Sequence, residues 1–214
     1  MSNIASDNFD SLTATTDLNG RTASGGGTWT ATAGAFVGAT GGGKVTSNSV
    51  SRAQATHSAT PGTADYTVSA DITVTSSGKT SLGVMARYQD ASNHFWGIWL
   101  GGTWAIYKRV GGTDTRIDAD GAATPVPTSV VNIVLSVSGS HTGPIQLTLK
   151  SGATTLATAT SSDAGLDAAG SAGIKDNFSD AANSSTFDNW SADTIASASL
   201  VVPPMAMHYM MMRH

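Results

Sequence analysis

The chain has 214 residues, a net charge of −4 and no cysteine, which excludes disulfides and thiolate metal sites. Charged residues make up 12 % of it, against a usual share of roughly 25 %, and no basic patch stands out, which argues against nucleic acid as a partner. No stretch approaches the ~20 apolar residues of a membrane span, and the first residues lack the basic and apolar regions of a secretory leader, so neither a membrane partner nor a signal peptide is expected.

The acidic residues carry a further message, because all 15 are aspartates. Asp competes for its own backbone where Glu supports a helix, so a Glu-free chain rich in Thr, Val and Gly is poor helix material. The weak N-terminal strands predicted are Asp7–Phe9, Thr28–Thr32, Ala35–Val37, Lys44–Ser47 and Arg52–Thr56, among Gly-rich loops. Tyr66–Val74 alternates cleanly, with Tyr66, Val68, Ala70, Ile72 and Val74 on one face. After a turn at residues 76–79, Ser81–Tyr88 sets Leu82, Val84, Ala86 and Tyr88 on one side. His94–Leu100 and Thr103–Val110 follow, joined by Gly101-Gly102, a strong hairpin signal because primed turns need positive φ. Val130–Val137, Ile145–Lys150, Thr154–Thr160, Ala172–Lys175 and Thr186–Ser191 complete the set. About a dozen short strands without a convincing helix predict an all-β, two-sheet antiparallel sandwich. Composition shifts after Asp193, which divides the chain into a sandwich over residues 1–193 and a linker with a Met-rich arm over residues 194–214.

Several motifs, taken in order, carry a resemblance. They are Asp7-Asn8-Phe9, Gly27-Thr28-Trp29, Gly83-Val84-Met85-Ala86-Arg87-Tyr88, Asn93-His94-Phe95-Trp96, Trp104-Ala105-Ile106-Tyr107-Lys108 and Phe187-Asp188-Asn189-Trp190. Together they resemble the concanavalin A-like lectin/glucanase jelly-roll superfamily over roughly residues 4–193. The resemblance implies a jelly-roll whose first and last strands sit side by side, near Phe9 and Phe187. The superfamily includes lectins, laminin-G-like modules, glucanases and phage virion proteins. The low charge, lack of cysteine and C-terminal arm look most like the last group. On that analogy the expected function is a structural or adhesive virion component, such as a capsid decoration, head-fibre, collar or tail-associated protein. It would be made in the host cytoplasm and present in many copies or as a homo-oligomer. A free carbohydrate-binding lectin-like module is the alternative, and a glycoside hydrolase a weaker one.

Catalysis is not expected. Glycoside hydrolysis needs two carboxylates at a set separation, the superfamily's glucanases use paired glutamates, and this chain has none. No strand offers aspartates in their place, since Asp118 and Asp120 lead into Gly121 in an apparent turn.

Binding candidates come from the hairpin. A two-residue turn sets Trp99 opposite Trp104 and Trp96 opposite Tyr107, on opposite sides of the sheet. One pair should be core, and the other, Trp96 and Tyr107, could stack on a sugar if exposed, with Arg87 and Asn93 to orient it. The competing expectation is that both pairs are packed. Asp7, Asp10 and Asp188 are candidate calcium ligands if the first and last strands pair; the competing expectation is that they cap turns. No other cofactor is expected. His57, His94 and His141 show no ligand spacing and are expected at the surface or in loops. In the arm, Pro203 and Pro204 stiffen the chain, and Met205, Met207, Tyr209, Met210, Met211 and Met212 are candidate docking residues for neighbouring virion subunits. An unstructured tail, or a Cu(I) site at Met205, Met207 and His208, are the alternatives there.

Overall fold

The computed structural model describes residues 2–48, 52–74, 81–119, 121–177 and 185–195. The turn expected at 76–79, Asp120 and the docking arm, including Pro203, Pro204 and Met205 to Met212, lie outside them.

In chain order the strands are β1 (Asn3–Asp7), β2 (Trp29–Ala33), β3 (Phe36–Gly38), β4 (Val45–Ser47), β5 (Ala53–His57), β6 (Tyr66–Thr73), β7 (Ser81–Asp90) and β8 (Asn93–Leu100). Then come β9 (Thr103–Val110), β10 (Thr113–Arg116), β11 (Val131–Ser138), β12 (Ile145–Ser151), β13 (Thr154–Ser161), β14 (Ser171–Asp176) and β15 (Thr186–Thr194). A 3-10 turn, Ala164–Leu166, precedes β14. One sheet has eight strands ordered β13-β12-β11-β6-β15-β4-β3, with β1 also on β15; the other has seven, ordered β10-β9-β8-β7-β14-β5-β2. All named pairings are antiparallel, as expected for a sandwich.

The alternation seen in the sequence builds the core. From the eight-stranded sheet, Tyr66, Val68, Ile72, Ile133, Leu135 and Leu149 are buried, with Leu135 opposite Val68. From the seven-stranded sheet, Leu82, Val84, Phe95, Trp99, Trp104 and Ile174 meet them in one cluster. Gly97 lies on this inward face, where a Cβ would come within 2.8 Å of Leu149 Cδ1, so the missing side chain lets the facing leucine approach.

The β8–β9 hairpin has the expected register, with Trp99 opposite Trp104 and Trp96 opposite Tyr107. Gly101 and Gly102 take φ of 59° and 96°, which a side chain would resist. The Trp99 and Trp104 rings are 5.2 Å apart in the core, and Trp104 Nε1 donates to Pro125 O at 2.9 Å.

Three expectations need correction. Tyr88 does not continue the row of Leu82, Val84 and Ala86. Arg87 sits at φ 48° and the β7–β8 register shifts between Ala86 and Asp90, so Tyr88 packs with Met85, Trp96 and Ile98 on the opposite face. The first strand is Asn3–Asp7 instead of Asp7–Phe9, since Asp7 Oδ1 accepts Phe9 N in a tight turn with Phe9 at φ 54°. The first and last strands do pair, but through Ser6–Ser191 and Asp7–Trp190, while Phe187 faces Ile72 and Val45. Third, β10 lies outside the predicted strands: Thr-Asp-Thr-Arg has no apolar alternation and, among the described residues, pairs only with β9.

Candidate functional site

The outward face of the seven-stranded sheet carries an unusual concentration of polar groups. Each arrives by alternation on its own strand: Gln54 on β5, Lys175 on β14, Met85 on β7, His94 and Trp96 on β8, Tyr107 and Arg109 on β9, and Asp114 on β10. The register sets Lys175 beside Gln54 and Gly83, and runs His94–Arg109–Asp114 as one row across β8, β9 and β10.

Contacts cross several strands. Gln54 Nε2 lies 3.1 Å from His94 Nε2, and Lys175 Nζ lies 3.2 Å from the same nitrogen and 3.6 Å from Asp114 Oδ1. β5 and β8 are three strand steps apart, roughly 14 Å along a flat sheet. Side chains of this length meet over that span only if the sheet curves toward them, so the face is concave.

The electrostatics follow from burial. Gln54, His94, Trp96 and Lys175 are all fully buried. Burial, with Lys175⁺ next to it, lowers the His94 pKa to about 3. Its imidazole is therefore neutral, with Nδ1–H toward Asp90 O at 3.4 Å and the Nε2 lone pair facing Gln54 and Lys175. Burial also lowers Lys175 to about 7, against the pull of Asp114. The ammonium rests 3.5 Å from the Trp96 ring centre, an attraction that partly replaces lost water. Arg109 donates to Asp114 at 2.7 Å. Gln54 Oε1, Trp96 Nε1 and Arg109 Nε are buried without a hydrogen-bond partner.

The predicted sugar-binding residues fare differently. Tyr107 is half-buried on this face, 5.2 Å from Trp96. Trp96 is not an exposed platform, because Lys175 and Tyr107 cover its ring. Arg87 is not on the face at all. The bulge turns it inward, where it donates to Ala64 O, Leu166 O and Gly139 O at 2.9, 3.1 and 2.7 Å. Asn93 holds the β7–β8 turn through the Asp90 carboxylate and Gly111 N.

At the joined termini, Asp7 is drawn away from the other calcium candidates. Its buried carboxylate accepts Trp29 Nε1 at 2.7 Å, Phe9 N at 3.0 Å and Ser24 N at 3.3 Å, and pairs with Arg21. Asp188 is pushed up by burial and by the like charges of Asp71 and Asp10, while Asn8 donates to Asp10 at 2.6 Å. Among the described residues no three acidic or histidine side chains could share a metal ion. A cleft of about 310 Å³ opens beside Asp7, lined by polar groups of Ser6, Asn8, Ser24, Asn189 and Ser191.

Two histidines depart from surface placement. His94 belongs to the concave cluster, and His57 is buried against Trp29 and Trp190, with Nε2 2.9 Å from Gly26 O and Nδ1 accepting Ala59 N at 3.1 Å. His141 is half-exposed and pairs with Asp167. Sequence reading missed Gln54, His94, Arg109, Asp114 and Lys175. Alternation alone puts His94 beside Trp96 and Arg109 beside Tyr107, but Gln54 and Lys175 join only once β14 is known to lie between β5 and β7.

No protein-family model matches the sequence, and no curated protein does. Among solved structures, the chain is similar to the carbohydrate-binding module CBM66 from Bacillus subtilis, with a TM-score of 0.60, 18 % identity, and coverage of 78 % of this chain and 95 % of that one. It is also similar to the GH43 protein BlXynB from Bacillus licheniformis, with a TM-score of 0.52 and 10 % identity over 72 % of this chain and 33 % of that one. The chain thus spans about a third of that GH43 protein. The fold is the concanavalin A-like jelly-roll sandwich.

Proposed function

We propose that this protein is a non-catalytic carbohydrate-recognition sandwich and that its concave face receives the saccharide. The observation that carries this reading is the convergence on one face of Gln54, Trp96 and Arg109, each with a polar atom unmet, beside the half-buried ring of Tyr107. An outward sheet face needs no such groups for folding, whereas a sugar offers many hydroxyl donors and acceptors around an apolar ring. The match over 95 % of a carbohydrate-binding module supports it. Against hydrolysis, the chain has no glutamate, and the carboxylate within the cluster, Asp114, is held by Arg109 and Lys175.

In affinity electrophoresis through polysaccharide gels, the protein is expected to be retarded by at least one polymer. Tyr107→Ala and Arg109→Ala, at the partly exposed residues of the face, should each weaken that retardation by about tenfold, the equivalent of one or two lost hydrogen bonds or stacking contacts. Migration unaffected by every polymer, or release of reducing sugar, overturns the reading.

The finer reading sets this sandwich on a phage particle as a structural or adhesive subunit, docked through residues 203–214. Its support is compositional: five methionines in a short arm behind Pro203-Pro204, with burial worth ~1.5–3 kcal/mol for each methionine that is fully covered. Deleting residues 203–214 should leave a folded sandwich that no longer co-purifies with particles, as read by mass spectrometry. A truncated protein that is still incorporated refutes the anchor, and a full-length chain never found on particles leaves the free module.

A further inference from the structure

The cations of the concave face exceed what it needs to hold itself together. Arg109 and Lys175 share a single carboxylate, Asp114, at 2.7 and 3.6 Å. Arg52 lies just before β5, close enough to Lys175 and His94 for its charge to act on both sites, and it makes no ion pair with a carboxylate among the described residues. This surplus of positive charge sits in a chain whose net charge is −4. Two of the unmet groups on this face, Gln54 Oε1 and Asp114 Oδ1, are acceptors, and Asp114 already has Arg109 and Lys175 as ion-pair partners; the other three are of one kind. Arg52 Nε, Arg109 Nε and Trp96 Nε1 are all N–H donors, buried and without an acceptor, and Trp96 is itself fully buried. Cations together with idle donors are matched by a group that only accepts and carries negative charge.

We infer that the concave face takes an anionic saccharide, with its carboxylate or sulfate seated between Arg52 and Arg109 and in the field of Lys175. This rests on the carbohydrate reading of the same face and adds the class of sugar. Arg109 and Arg52 each act on Lys175 as like charges, and a bound anion relieves that repulsion. Arg109 and Tyr107 are partly exposed at the rim, so an anionic group can reach them from solvent.

The test compares matched pairs by calorimetry at about 150 mM salt, where exposed charges more than ~8 Å apart are largely screened. The pairs are oligogalacturonate with its methyl ester, and dextran sulfate with dextran. The acidic member of at least one pair should bind about tenfold more tightly or better. Carboxylate and sulfate specificity are separated by which pair shows the difference. Arg52→Gln, which breaks no ion pair among the described residues, and Arg109→Gln should each remove most of that preference, with circular dichroism confirming the fold. Equal binding of acidic and neutral members overturns the inference and leaves the carbohydrate reading standing. A preference for acid that survives both substitutions also overturns it. Failure of all four polymers to bind overturns this inference, whereas the carbohydrate reading falls only if the gel assay also finds no polymer that retards the protein.

Discussion

Replacing Lys175 by Met should raise the unfolding free energy at pH 6 by an amount on the order of 3–5 kcal/mol, and the gain should vanish as the pH approaches 10.5. In the folded protein Lys175 titrates near 7, while in the unfolded chain it keeps its ordinary value of 10.5. Between these values the unfolded state binds a proton that the folded state has released, so wild-type stability rises with pH across that window. Below pH 7 both states are charged, and the folded protein bears the whole cost of an ammonium taken out of water. Every tenfold weakening of proton binding on folding corresponds to about 1.4 kcal/mol, which sets the scale. Methionine matches the stem in length and keeps the contact with Trp96 without the charge. His94 acts in the same direction at lower pH. Its folded pKa of about 3 lies below its ordinary 6.5, so stability falls as pH drops from 6.5 toward 3. Urea denaturation of both proteins between pH 5 and 10 reads the effect. Parallel curves, with a constant offset, would refute it.

The second large effect is expected at Arg87. Arg87→Met should cost about 3–5 kcal/mol, the usual consequence of breaking a buried charged network. For a chain of this size that lowers the melting temperature by roughly 10 °C. The guanidinium is fully buried and gathers three separate segments through the carbonyls of Ala64, Gly139 and Leu166, with Asp65 at 3.4 Å. Methionine fills the space but leaves those carbonyls without donors. Arg87→Lys should recover only part of the loss, because one ammonium does not span the directions a planar guanidinium serves. Saccharide binding by the refolded variant should be unchanged, since Arg87 lies off the concave face. A melting temperature within about 2 °C of wild type, a loss of under about 1 kcal/mol, would contradict this account.

These two residues also show what the sequence could and could not reveal. Period-two alternation located most strands to within a residue or two, from Tyr66 through Thr194, because each has one buried face. The Gly101-Gly102 turn fixed the hairpin register, and with it the separation of Trp99–Trp104 from Trp96–Tyr107. Arg87 defeated that logic: one residue at positive φ shifts the phase, and nothing in Ala86-Arg87-Tyr88 marks it. Lys175 defeated it differently. Ala172-Gly173-Ile174-Lys175 reads as an ordinary strand with a polar end, and the buried partners of its amine lie on strands far away in sequence. Trp96 was correctly set on the face opposite the core, but whether a ring is covered depends on what other strands send across. The absence of glutamate, by contrast, is legible at once and bears directly on the chemistry the face can perform.

The short strand β10 has a consequence beyond its part in the cluster. Among the described residues it has β9 on one side and no strand on the other, leaving backbone donors and acceptors open to any passing chain. Such an edge invites stacking of copies into fibres. Here the edge is only four residues long, its sequence is Thr-Asp-Thr-Arg, and Asp114 is tied to Arg109 and drawn toward Lys175. A chain adding to this margin would find a short, charged strip whose carboxylate is already committed elsewhere. The polar composition that hid β10 from sequence reading is thus also what lets the seven-stranded sheet stop there without recruiting a further strand.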